Sequence, residues 1–218
     1  MQRLYDALAP VHDPLVRGAF MVFEQEHEAS VRERYMSRLE LGSLAARPDG
    51  RPLRVLDVGI GSGASLPLLR RDLPEGLEVE LWGCDLSAGM LSQLEACLAR
   101  EGDRSTRFVQ ADAHALPFAS GSFDRVFHVG AINGYRDPKM ALAEMARVAV
   151  PGTPIVVVDE QLDRSRPNGW YHRAAFRLVT LYDRTPHCPV ELLPRGAYDV
   201  KDEAISRFFY CLSFRAGG

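Results

Sequence analysis

Three carboxylates and three glycines in this chain are spaced so that together they could hold a small charged ligand. Asp57 stands two residues before Gly59 in VLDVGIGSG, and Gly59, Gly61 and Gly63 alternate through the loop that follows. Asp85 closes a second apolar run and Asp112 a third. Glycines let a backbone turn tightly and let a ligand come close to it. The carboxylates decide which ligand. A pyrophosphate is best held by helix N-terminal amides with no carboxylate nearby. An amino-acid ammonium, by contrast, is best held by a carboxylate acceptor.

The glycine spacing alone leaves two nucleotides open. Gly59, Gly61 and Ala64 satisfy the G-x-G-x-x-G/A pattern of dinucleotide sites, which would mean hydride transfer. Gly59, Gly61 and Gly63 behind Asp57 suit S-adenosylmethionine, which would mean methyl transfer. Asp57 favours the second, because it would repel a pyrophosphate and hold an ammonium; the plainer alternative is a carboxylate that caps a turn or helix. Asp85, at the end of the next strand, can accept both ribose hydroxyls. That serves either nucleotide, and a simple N-cap is again the plainer role. Leu86 and Met90 suit packing on a flat adenine, or an ordinary core. Asp112 can accept a hydrogen bond from an adenine amino group.

Methyl transfer is an in-line displacement from an already activated centre, so alignment and exclusion of water matter most. A general base is needed only where the acceptor must lose a proton near the transition state. His128, at the end of a strand, is the first candidate, with a hydrogen-bonded structural histidine as its alternative. His172 and Tyr135 are the others. Trp170, Tyr171 and Phe176 suggest an apolar wall for an acceptor, or a packed helix face.

These residues need elements to position them, and the pattern supplies an α/β arrangement from Leu53 onward. Strands are expected at 53–58, 77–85, 106–112, 122–130 and 154–160, with helices at 62–72, 87–100 and 137–149 between them. Runs such as VLDV and IVVV suit strands covered on both faces. The alternation predicts a doubly wound, mostly parallel sheet with right-handed crossovers. After a helix at 168–182, two adjacent strands at 198–206 and 207–215 imply an antiparallel pair. Residues 1–50 read as helices, one over 2–9 and one from Pro14 to Ala46 with Asp13 as N-cap and Gly42 as a candidate break. RPDGRP then forms a linker.

The net charge of -3 offers no global basic field for nucleic acid or an anionic membrane. No apolar run approaches a membrane span and the start has no signal-peptide core, so a cytoplasmic protein is expected. Cys84, Cys97 and Cys211 are expected to be buried and Cys188 exposed. No metal site is expected, since His187 and Cys188 alone make no ligand set.

The series VLDVGIGSG, GCDLSAGML, QADAHALPFASGSFDRVF and RVAVPGTPIVVVDE resembles the class I S-adenosylmethionine-dependent methyltransferases. Within them it is most similar to the small-molecule group that contains the quinone-biosynthesis C-methyltransferases. The resemblance covers about half the chain, residues 53 to 160. It implies a seven-stranded sheet with a C-terminal antiparallel hairpin, S-adenosylmethionine as cofactor and a small-molecule acceptor. Asp57 and the three glycines would hold the methionine part, Asp85 the ribose, Asp112 and Ala113 the adenine edge, and Val129 and Gly130 the sulfonium side. YDALAPVHD resembles the family's opening, so Tyr5 would close over the cofactor, although His12 stands where a second tyrosine is frequent. Residues 1–50 would then be a helical lid and 51–218 the catalytic domain. Two alternatives stay open: a methyltransferase acting on RNA, DNA or protein, and a cofactor-binding protein without turnover. HVGAINGY lacks the Asn/Asp-Pro-Pro-Tyr/Phe pattern of nucleic-acid amino methyltransferases. No acidic cluster stands beside the fourth-strand loop, which argues against metal-dependent catechol chemistry, although Asp159 and Glu160 could contribute ligands.

Overall fold

The computed structural model describes residues 28–130, 132–180 and 185–217. A seven-stranded sheet forms its centre, in the order β3-β2-β1-β4-β5-β7-β6. The strands are β1 (Leu53–Val58), β2 (Val79–Asp85), β3 (Arg107–Gln110), β4 (Arg125–Val129), β5 (Pro154–Glu160), β6 (Tyr198–Ala204) and β7 (Phe209–Arg215). The first five run parallel. β7 lies antiparallel between β5 and β6. The strand order reverses at β1, between β2 and β4, so the ligand crevice of such a sheet is expected at the carboxyl ends of those strands.

Both faces of the central strands are covered, which is why their sequences are apolar without alternation. Leu53, Val55, Phe127, Val156 and Val158 pack on one face with α1 (Glu28–Met36), α2 (Leu66–Asp72) and α3 (Ala88–Glu101). Leu56, Val58, Val126, Ile155 and Val157 pack on the other with α4 (Pro138–Val148). Each of the two long helices starts on a side-chain cap. Ser87 accepts the Met90 amide at 3.1 Å, and Asp137 accepts the Met140 amide at 3.0 Å. Met90, Leu91, Leu94 and Leu98 recur at helical spacing on the buried face of α3, and Gly102, in the left-handed region, ends it. α5 (Trp170–Val179) is anchored by Phe176, whose ring lies 5.3 Å from that of Phe208. No described helix is long and apolar enough to cross a membrane.

Several boundaries differ from expectation, each for a physical reason. The helix expected to reach Ala46 ends at Met36 and continues as two 3-10 turns, Ser37–Leu39 and Leu41–Ser43. The buried Arg125 of β4 takes the carbonyls of Leu39 and Glu40 and the Ser43 hydroxyl, drawing those groups out of a helical ladder. The chain turns at Glu40, with φ 49°, rather than at Gly42. Pro14 and its Asp13 cap lie outside the described residues, as does Tyr5. The helix expected from Ser62 begins at Leu66, because residues 59–65 are used in tight turns. In the C-terminal hairpin, β6 stops at Ala204 and β7 starts at Phe209. Ser206 fills the turn, its hydroxyl accepting the Phe208 and Phe209 amides. Cys188 is buried at 6% exposure, opposite to expectation, and Cys97 is only half-buried.

Candidate functional site

The loop after β1 is held from two sides. The amides of Gly59 and Ile60 both donate to the Cys84 carbonyl, at 2.7 and 3.0 Å, which hooks the loop onto the end of β2. Asp85 supplies the second hold. Its Oδ2 accepts the Gly61 amide at 2.9 Å and its Oδ1 accepts the Ser87 amide at 2.8 Å. One carboxylate thus clamps the glycine loop to the start of α3, where the sequence suggested either a ribose contact or an N-cap. Ser87 is the cap. Gly59 has φ 79°, and a Cβ there would stand 3.2 Å from His128 Nδ1 and 3.8 Å from the Tyr135 hydroxyl. The loop therefore lies directly against those two side chains.

Asp57 ends β1 on the α1 side and is 3% exposed. Burial pushes its carboxyl up to about 8; Arg32 opposes that shift and Asp85 adds to it. Asp57 caps neither following helix, since Ser65 and Ser87 stand at those positions. Leu86 is 42% exposed and faces outward beside Asp85, whereas Met90 is buried with its Cε beneath Gly61. Leu86 is therefore the residue available to a ligand, and Met90 supports the loop.

Asp112 and Ala113 follow β3. The Asp112 carboxylate accepts the His114 amide at 2.9 Å and the His114 Nδ1 proton, which lowers its pKa. His114 Nε2 in turn accepts the Asp137 amide at 3.2 Å, tying the β3 loop to the start of α4. The sequence reading missed His114; the HAL that follows Asp112 and Ala113 carries no distinctive signal. The Tyr135 ring lies between two imidazoles, 5.5 Å from His114 and 5.3 Å from His128. Val129 and Gly130 complete the rim at the end of β4, with the Gly130 amide tied to the Val158 carbonyl at 2.8 Å.

His128 is fully buried. Its Nδ1 donates to the Val58 carbonyl at 2.6 Å, and Nε2 has no partner among the described residues. Burial holds the imidazole down to about 4, so at neutral pH it is an uncharged acceptor and a weak base. A consequence for stability follows. The unfolded imidazole ionises near about 6.5, so the folded pKa is the lower one. The associated stability is complete above about pH 6.5 and is lost as pH falls toward about 4, by about 3 kcal/mol at the end of that window. His128→Asn keeps a donor for Val58 but cannot charge. Its melting temperature should fall less between about pH 7 and about pH 4.5 than that of the wild type; equal falls would contradict the buried neutral state.

His172 lies on α5 beside Tyr171, at a ring distance of 5.8 Å, and is not among the groups around Gly59. Trp170 is 82% exposed rather than part of an enclosed wall. Asp159 is fully buried at the end of β5, where its carboxylate accepts the Asn133 amide at 2.6 Å. Burial, with Glu160 next to it, raises its pKa well above the usual carboxylate range. Among the described residues no three His, Cys, Asp or Glu side chains are placed to hold a metal.

Residues 56–157 match the family described as methyltransferase domain. A demethylmenaquinone methyltransferase of Thermus thermophilus is 34% identical over 128 residues, 59% of this chain and 56% of the relative. The chain spans about half the length of the curated relatives it matches, 46% to 56% for three of them. Among solved structures, phosphoethanolamine N-methyltransferase 2 of Haemonchus contortus, in complex with S-adenosyl-L-methionine, superposes with a TM-score of 0.65 at 14% identity, over 85% of this chain and 53% of that one. The [4+2]-cyclase SpnF superposes equally well, TM-score 0.65 at 15% identity, over 99% and 95%. The structural likenesses show the fold. The chain carries a methyltransferase domain running from within β1 to within β5, and over it resembles the class I S-adenosylmethionine-dependent methyltransferases.

Proposed function

We propose that this chain binds S-adenosylmethionine across the loop of Gly59, Gly61 and Gly63 and directs its methyl group to a small apolar acceptor at the ends of β4 and β5. The observation that carries this reading is the pairing of a buried carboxylate, Asp57, with a glycine cradle that a Cβ would fill, at the point where strand order reverses. A carboxyl that ionises against an incoming ammonium suits a cationic ligand and offers a pyrophosphate no donor. When bound, the cofactor supplies an activated methyl on a sulfonium whose departure leaves a neutral thioether.

The chain's own residues have the following parts. Asp57 and the glycine loop hold the amino-acid end. Asp85, at the end of β2 beside the loop, accepts from the ribose hydroxyls. Leu86 and Ala113 border the adenine, and Asp112, fixed by His114, stands at its amino edge. Val129, Gly130 and Tyr135 border the reacting side. His128 serves as a neutral acceptor rather than a proton store, which suits an acceptor carbon or heteroatom that needs alignment more than deprotonation. Residues 1–50 are proposed to cover the site, supported by α1, whose Arg32 and Tyr35 reach Ser65 beside the loop. The demethylmenaquinone methyltransferase relatives support a quinone-like or related metabolite as acceptor, and a cytoplasmic location fits such a substrate.

Calorimetry with S-adenosylhomocysteine tests the reading. Asp57 must be ionised to hold an ammonium, so binding should release a proton and strengthen from about pH 6 to about pH 8, by up to about tenfold per pH unit. Asp57→Asn should bind more weakly and lose that dependence. Binding of NADH without a response to S-adenosylhomocysteine would sink the proposal. A screen of quinols, phenols and amines for a mass gain of one methylene would then identify the acceptor.

A further inference from the structure

A helix packed on one face is ordinarily polar on the opposite one. α5 is not. Its inward side carries Ala175 and Phe176, which pack in a small cluster of their own with Phe208. Its outward side carries Trp170, Tyr171, Ala174 and Leu178. Trp170 is 82% exposed, Leu178 60% and Tyr171 42%, and Ala174 is exposed as well. At about 100° per residue these four fall within one sector about 100° wide. Arg173 and Arg177, both exposed, lie along one border of that sector.

The charge around the helix is one-sided. From Arg164 to Leu178 the sequence has four arginines and no aspartate or glutamate, in a chain whose net charge is -3. Arg166 is paired with Asp163 at 2.9 Å, whereas Arg164 and Arg173 are exposed, Arg173 with its Nε donating to the Asn168 carbonyl at 3.2 Å. The helix is firmly mounted. Arg207 donates from Nη1 to the Pro167 carbonyl and to the Asn168 side-chain oxygen, both at 3.0 Å, and the Phe176 and Phe208 rings lie 5.3 Å apart. Phe208 belongs to the turn between β6 and β7, which meets the carboxyl end of β5 where Glu160 pairs with Phe209. α5 therefore stands at the same edge of the sheet as the glycine loop.

We infer that α5 docks the protein on an anionic lipid surface, with Trp170, Tyr171 and Leu178 in the boundary between headgroups and acyl chains and the arginines on the headgroups. Aromatic and aliphatic residues on one sector, bordered by arginine, are the composition of a helix that lies in a bilayer interface. Trp suits that depth because its ring is apolar and its N–H is not. Charge favours lipid over a second copy of this chain: a two-fold contact of α5 with α5 would bring arginine against arginine with no acid to offset it. The docking is independent of the functional reading above.

Flotation with phosphatidylcholine vesicles, with and without an equal part of phosphatidylglycerol, tests it. The wild type should bind the mixed vesicles at least about tenfold more strongly than phosphatidylcholine alone. Arg173→Gln should weaken binding to the mixed vesicles by about fivefold, the contribution of one basic residue at such a surface. Trp170→Ser and Leu178→Ser, each at an exposed site, should each weaken it by about tenfold. Tryptophan emission should shift to the blue on binding in the wild type but not in Trp170→Ser, whose remaining tryptophan, Trp82, lies within β2. Wild-type protein that floats with neither vesicle, or binding that survives both serine substitutions, would overturn the inference. Self-association that Trp170→Ser abolishes, without vesicle binding, would overturn it as well and make this face a contact between copies.

Discussion

Asp85→Ala is expected to weaken S-adenosylhomocysteine binding by at least about a hundredfold, measured by calorimetry. Each charge-assisted hydrogen bond contributes about 1.5–3 kcal/mol, and this carboxylate accepts from the amides of Gly61 and Ser87. Removing it releases the glycine loop from the start of α3 and also deletes the acceptor for the ribose. The variant should lose more than a simple ligand contact would supply. Asp85→Asn separates the two effects. Its amide oxygen can still accept from Ser87, but its NH2 would then face the Gly61 N–H, donor against donor. The asparagine variant should therefore show weakened binding close to that of the alanine variant. An affinity within about threefold of wild type in both would mean that neither the clamp nor the ribose contact matters.

Gly63→Ala is expected to destabilise the protein by about 2–5 kcal/mol, from two independent sources. Gly63 has φ 87°, where a Cβ costs about 1–2 kcal/mol. The same Cβ would stand 2.7 Å from Leu94 Cδ1 and 2.9 Å from Leu66 Cδ1, and both leucines are buried. Overpacking of that kind costs about 1–3 kcal/mol. At about 2–4 °C per kcal/mol for a domain of this size, the melting temperature should fall by about 4–20 °C. Gly130→Ala is the internal control. Its φ is 83°, but a Cβ there meets nothing within 4 Å, so only the backbone cost applies and the fall should be clearly smaller. Equal falls in the two variants would show that contact with the leucines contributes nothing.

The legible part of the site was the part written at strand ends. Asp57 and Asp85 each close an apolar run, and the parallel register places Asp57 beside Gly83 and Asp85 beside Gln110 at one edge of the sheet. An acid at the end of a buried strand therefore stands at the carboxyl edge of the sheet whatever else the chain does. The helix positions were legible for a similar reason. Ser87 and Asp137 are caps that act within three residues of themselves, and Met90, Leu91, Leu94 and Leu98 repeat at the helical period. Expectation failed where a distant group intervened. Arg125, 85 residues from Glu40, ends the N-terminal helix early by taking its carbonyls. Cys188 is buried because it packs in the layer with Tyr210 and Leu212, and no property of its HCP neighbourhood announces that.

By itself the sequence determined the alternation of strands and helices, the closing antiparallel pair, the glycine loop and the acids that border it. These follow from hydrogen-bonding periods and caps that operate over a few residues, so local composition carries them. The tertiary structure alone decided what each acid does. It made Asp85 a clamp, set His114 between Asp112 and Asp137, drove His128 to an uncharged state and brought Arg32 to Ser65 across 33 residues of chain. Charge state and reach depend on burial and on which helix packs over which loop. Those are properties of the assembled core, and short stretches of sequence do not contain them.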